Sequence, residues 1–168
     1  GFLCMGFFKL KSILKMLNRL SPKKIVVVSS APQIRYPDCY GIDTAIMDDL
    51  IAFRAAISLF KKRFKVDALK EIYKKCVQEN KKKTTQIRNV VKEVYNPFTD
   101  DQISKEISRM LKDKDIDSDV EVVFQSIDNL HKACPNHLGD WYFSGDYPTP
   151  GGNKVVNRAF INYYEGLK

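Results

Sequence analysis

Four consecutive β-branched residues, Ile25-Val26-Val27-Val28, restrict this chain more than any other feature. The run is preceded by Ser21-Pro22 and followed by a stretch rich in Pro and Gly, so it is too short for a helix. An apolar run bounded in this way predicts a strand buried on both faces, as in a parallel sheet. The stretch that follows, Ser29 to Asp43, contains Pro32, Pro37 and Gly41 and reads as a long ordered loop. Ligands of open α/β sheets gather beyond the carboxyl ends of the strands, so binding chemistry is expected in this loop.

The elements around the strand follow from periodicity. Leu10, Ile13, Leu14, Leu17 and Leu20 recur at helical spacing and predict an amphipathic helix over 9–20, which Ser21-Pro22 stops. A second helical pattern runs from Thr44 to about Phe64. Val66 to Lys83 and Thr85 to Tyr95 read as charged amphipathic helices, and Asn96-Pro97-Phe98 breaks them. Thr99 and Gln102 have capping-box spacing and open a helix through Ile103, Ile107, Met110 and Leu111. A strand at Val120 to Phe124 follows, then a short helix capped by Ser126. Gly139 to Gly145 reads as a turn or short hairpin, and Asn153 opens a final helix.

A chain of 168 residues with 44% hydrophobic content can bury one core. The net charge of +8 would suit a polyanion, but the lysines of the middle section alternate with Asp67, Glu71 and Glu79, as on a solvated helical face. This argues against nucleic acid as the partner. Cys4, Cys39, Cys76 and Cys134 are scattered, without the density of a disulfide scaffold, which points to a reducing cytoplasm. The apolar opening from Phe2 to Phe8 is too short to span a membrane and has no flanks of an export signal.

The stretch Lys23 to Pro37, continuing into Tyr40-Gly41-Ile42-Asp43, resembles the glutamine amidophosphoribosyltransferase family. Pro32, Ile34-Arg35, Tyr36-Pro37 and Tyr40-Gly41-Ile42-Asp43 agree with it in order and spacing. The helix from Leu10 to Leu17, the Leu50-Ile51-Ala52 start of the next helix, Val120 to Leu130, and Phe143 to Pro148 resemble it as well. The resemblance implies an α/β fold: part of a Rossmann-like, type I phosphoribosyltransferase core over 1–65, a helical insertion over 66–118, and a C-terminal strand-helix extension over 119–168. It also implies a two-step enzyme, in which an upstream glutaminase domain releases ammonia and the transferase domain uses it to displace pyrophosphate from phosphoribosyl pyrophosphate.

Within that resemblance, glutamine and phosphoribosyl pyrophosphate are the substrates of the intact enzyme and magnesium is its cofactor. AMP and GMP are expected as inhibitors, and a homo-oligomer as the assembly. The family's phosphate loop, two acidic residues followed by Arg-Gly-Thr-Thr, should stand just before the first helix, where this chain has Gly1 to Phe8 with no acidic residue, Ser or Thr. Truncation, a gene-model error or a decayed paralogue would each account for that, and the chain by itself is expected to be inactive. No residue is assigned a catalytic role, and no metal ligand is assigned.

The residues expected near substrate or nucleotide are Ser29, Ser30, Pro32 and Arg35. A guanidinium at Arg35 suits a phosphate or an acidic partner domain, and equally a structural clamp on loop carbonyls. Ser29 and Ser30 either line a nucleotide pocket or cap the turn. Cys39 lies one position beyond the family's cluster-binding loop cysteine and no C-x-x-C pair precedes Phe143, which argues against an iron–sulfur cluster. His131, Cys134 and His137 have the spacing of partial zinc ligands, but Pro135 interrupts them; a helix C-terminus favouring cationic side chains explains the same residues. Trp141, Tyr142 and Phe143 suit core or interface packing better than base stacking.

Overall fold

A computed structural model describes residues 7–39, 46–65, 67–136 and 139–167. Helix α1 (Phe7–Asn18) leads into strand β1 (Lys24–Ser29). Helices α2 (Ile51–Arg63), α3 (Asp67–Glu79), α4 (Lys92–Tyr95) and α5 (Asp100–Leu111) separate β1 from strand β2 (Asp119–Phe124). Helices α6 (Ile127–Ala133), α7 (Trp141–Ser144) and α8 (Pro150–Glu165) complete the order. The architecture is α/β, mostly helical, around a two-stranded parallel sheet in which Ile25 faces Val120 and Ser29 faces Phe124 across the ladder.

Several boundaries differ from the sequence expectation. The stretch 85–95 is not one helix: it holds a short 3-10 turn at Thr84–Gln86, a non-helical segment, and the single turn of α4. Residues 139–145 form no hairpin, because Trp141–Ser144 is a helical turn closed by Gly145 in the left-handed region. Thr99 and Gln102 do form the reciprocal capping box, and Ser126 accepts from the Asn129 amide at the start of α6.

The largest correction concerns β1. Ile25, Val27 and Ser29 turn inward, but Val26 and Val28 on the opposite face are 48% and 71% exposed, and Val123 beside Val28 is 41% exposed. The run of valines is therefore covered on one face only, because the described helices pack on that side, with α5 against β2. The stripe of α1 is likewise half covered: Leu10 and Leu14 are buried, whereas Leu17 and Leu20 stand out to solvent. On the far side of β2 the Val122 amide donates to the Ser108 hydroxyl of α5 at 2.9 Å, which ties that edge to the helix at one point.

One hydrophobic cluster takes residues from every part of the chain, from Leu10 and Ile25 through Ile72 and Ile107 to Phe160. Its centre is aromatic: Phe53 meets Phe160 and Tyr163 edge-on, with centroids 6.2 and 4.8 Å away. The lysines of α2 and α3 lie on the outer, exposed faces, as the charge pattern predicts.

The α2–α5 contact contains one buried carboxylate. Glu106, 5% exposed, accepts from Ser58 Oγ at 2.6 Å, Lys62 Nζ at 2.8 Å and Arg109 Nη2 at 2.8 Å. Its pKa is brought down to about 2, first by the Arg109 hydrogen bond, against the opposing effect of burial and with help from Lys62 and Ser58. A carboxylate with a depressed folded pKa contributes stability above its unfolded pKa of 4.5, and loses it as pH falls toward 2. Because Lys62 and Arg109 are themselves half exposed and screened, the contribution is about 2–3 kcal/mol. Urea unfolding of Glu106→Gln is expected to show that deficit at neutral pH and a shrinking one between pH 4.5 and 2. A pH-independent deficit would contradict it.

Candidate functional site

The loop beyond β1 is held by hydrogen bonds on every side. Ser29 ends the strand and turns the chain itself: its hydroxyl donates to the Ala31 carbonyl at 2.9 Å and accepts from the Ala31 amide at 3.2 Å. Pro32, Gln33, Tyr36, Pro37 and Asp38 are buried, so this loop is an interior segment despite lacking regular structure. An interior backbone without a ladder must find other partners for its polar groups.

Those partners come from the later parts of the chain. The amides of Arg35 and Tyr36 both donate to the Tyr142 carbonyl, at 2.9 and 3.1 Å. Tyr95 donates its hydroxyl to the Arg35 carbonyl, and Tyr147 donates to that of Pro37. Burial pushes the pKa values of Tyr36, Tyr95 and Tyr147 far up, so these phenols stay protonated as donors. Tyr142 donates to Asp38 Oδ1 at 2.9 Å, and burial followed by that carboxylate raises its pKa as well.

Arg35 is where the two readings of the loop meet. Its guanidinium is 14% exposed and lies 5.6 Å from the centroid of the Tyr95 ring. Nε and Nη2 both donate to Gln33 Oε1, at 3.2 and 2.9 Å, and Nη2 also pairs with Asp100. Gln33 completes the clamp by donating Nε2 to the Asp100 carbonyl and to Ser104 Oγ, both at 2.8 Å. An incoming anion at Arg35 would have to displace a carboxylate already in place, and the acceptors that hold its guanidinium are side chains, not the loop carbonyls of the expected clamp.

The four expected residues are thus on one short segment but play different parts. Ser29 caps the turn, Ser30 is exposed, Pro32 is buried and Arg35 joins the loop to α5. Tyr40 to Asp43, the remainder of the segment, lie outside the described residues, as do Cys4 and His137. Gln33, Asp100, Ser104 and Tyr95 are not singled out by the sequence, and no local pattern marks them, because their contacts join distant parts of the chain.

On α6, His131 Nε2 lies 3.1 Å from Asp140 Oδ2. Both line a hollow of about 270 Å³ together with Cys134 and Phe143. Among the described residues no group of three or more His, Cys, Asp or Glu could hold a metal ion. Cys76 is a buried thiol and Cys134 an exposed one, and burial raises the pKa of Cys76 to about 12. No described helix is long and apolar enough to cross a membrane.

No family model and no solved structure matches the chain. Two curated proteins do match part of it. The amidophosphoribosyltransferases of Pasteurella multocida and Haemophilus influenzae are each 39% identical to it over 59 residues, a stretch that is 35% of this chain and spans only 12% of each relative's length.

Proposed function

We propose that this chain is the C-terminal portion of an amidophosphoribosyltransferase. The intact enzyme transfers glutamine-derived ammonia to phosphoribosyl pyrophosphate, giving 5-phosphoribosylamine in the first step of purine synthesis. The observation that carries this reading is the 39% identity over 59 residues to two proteins of that name. In this reading residues 1–65 belong to a Rossmann-like transferase core, 66–118 are an insertion and 119–168 an extension. The bare face of the sheet supports it: two parallel strands with exposed Val26, Val28 and Val123 are a fragment of sheet, since parallel sheets are ordinarily covered on both faces. Among the described residues no strand pairs with the far edge of β1, which leaves room for the sheet to continue.

Magnesium, the two substrates, AMP and GMP, a homo-oligomer and a cytoplasmic setting belong to the intact enzyme in this proposal. The isolated chain is expected to release no pyrophosphate from phosphoribosyl pyrophosphate with either glutamine or ammonia. The full gene product is expected to do so with glutamine. Turnover by the isolated chain, or none by the full product, overturns the reading. The alternative is a non-catalytic paralogue that binds nucleotide or protein through Pro32 to Asp43, although Arg35, already held by Gln33 and Asp100, offers an anion no open partner there. Calorimetry with AMP and GMP on an inactive full product would distinguish it.

A further inference from the structure

The α2–α5 surface contains a hollow of about 450 Å³ that the transferase reading does not use. Leu59 and Phe98, both half-buried against the core, supply its apolar lining. Lys62 and Arg63 from α2 and Lys105 and Arg109 from α5 stand around them. The carboxylate lining it is Glu106, which is already saturated by Ser58, Lys62 and Arg109. Cations therefore outnumber carboxylates at this surface.

Two of those cations are held in ways that leave them able to take a carboxylate from outside. Arg63 donates Nη1 to the Pro97 carbonyl at 2.8 Å, and its Cζ lies 5.7 and 5.9 Å from the ring centroids of Phe64 and Phe98. A guanidinium pinned by a carbonyl and two rings keeps its full charge and loses little freedom on binding. Among the described residues Lys105 pairs with Asp101, one helical turn away, and both are largely exposed. Such a surface pair holds its lysine weakly.

The arrangement discriminates among anions. Lys62 and Arg109 converge on Glu106, so the point at which a compact anion would be gripped is filled by the chain's own carboxylate. The remaining charge is divided between Arg63 on one helix and Lys105 on the other, with the apolar lining nearby. Separate carboxylates flanking an apolar side chain match this layout, and a single phosphate does not. From this charge complementarity we propose that the α2–α5 groove docks an acidic amphipathic peptide segment of a partner protein, its apolar side chain against Leu59 and Phe98 and its carboxylates on Arg63 and Lys105.

The test is fluorescence anisotropy of the whole chain with a labelled peptide of about 16 residues carrying Glu and Leu at helical spacing. Arg63→Glu/Lys105→Glu is expected to weaken binding about tenfold or more. Lys81→Glu/Lys83→Glu, the same charge change on an exposed turn elsewhere, should change it less than about twofold. Replacing the peptide's Leu by Ser at constant charge should weaken it about fivefold. Should the charge-reversed groove variant fail to fold, Arg63→Gln/Lys105→Gln carries the comparison. Equal losses in both charge variants, indifference to the Leu replacement, or competition by inorganic triphosphate or a single-stranded oligonucleotide that the groove variant abolishes would each overturn the proposal.

Discussion

Replacing Gly145 by alanine is expected to cost roughly 2–5 kcal/mol, from two independent sources. The first is conformational: Gly145 closes α7 at φ 73°, where a Cβ is disfavoured by roughly 1–2 kcal/mol. The second is steric, because a Cβ at this position would lie 2.6 Å from Cζ of Tyr36 and 2.8 Å from Nδ2 of Asn89. Tyr36 cannot retreat easily, since it is buried and its ring lies 5.2 Å from that of Tyr95. Overpacking of this kind adds roughly 1–3 kcal/mol. Gly166 is the internal control: it has φ 72° but nothing within 4 Å of its would-be Cβ, so Gly166→Ala should show the conformational part alone. Urea unfolding measures both, and hydrogen exchange of the Arg35 and Tyr36 amides should rise selectively in Gly145→Ala, since their shared acceptor is the Tyr142 carbonyl. Equal costs at the two glycines would refute the account.

That prediction shows what local sequence patterns can and cannot carry. The strand at Ile25 to Val28, the capping box at Thr99 and the cap at Ser126 depend on neighbours within a few residues, and they are where periodicity and cap chemistry put them. The covering of the strand is not local. Ile25 and Val28 are equally apolar as letters, yet one is buried and the other 71% exposed, because burial depends on which elements the rest of the fold brings alongside. The stretch 85–95 fails for a related reason: its apolar residues Ile87, Val91 and Val94 are all buried, as on a helix face, but the backbone from Arg88 to Val91 is held by side chains instead of by helical bonds.

The candidate site divides in the same way. Its position beyond the end of β1 follows from the order of elements and could be named in advance. Its construction could not, because each contact joins residues far apart in the chain: Gln33 to Ser104, Arg35 to Asp100, Tyr95 to the Arg35 carbonyl, and Tyr142 to Asp38. Arg35 illustrates the consequence. A guanidinium in a loop has the same letter whatever faces it, and its pairing with Asp100 at the start of α5 is visible only in the fold.

The second large effect concerns the irregular segment between α3 and α4. Asn157 is fully buried on α8, where its Oδ1 accepts from the Val90 amide at 3.1 Å and its Nδ2 donates to the Arg88 carbonyl at 2.8 Å. One side chain thus does for this segment what a neighbouring strand would do, satisfying an amide and a carbonyl that no helix or sheet serves. Its Oδ1 also receives the Cys76 thiol at 3.8 Å, which ties in α3. Asn157→Leu keeps the volume but orphans both backbone groups. At roughly 1–3 kcal/mol for each, the loss is expected to be roughly 2–6 kcal/mol. Cys76 gives a reporter at the same place: burial, with Glu93 and Glu79 adding to it, raises its thiol pKa to about 12, so it should resist alkylation at neutral pH in the wild-type chain. In Asn157→Leu, water entering to solvate the freed amide and carbonyl must open the α3–α8 contact, and Cys76 labelling followed by peptide mapping should accelerate along with the drop in urea midpoint. Retained protection of Cys76 together with a loss below about 1 kcal/mol would mean that the segment is held by its apolar side chains, with Asn157 incidental.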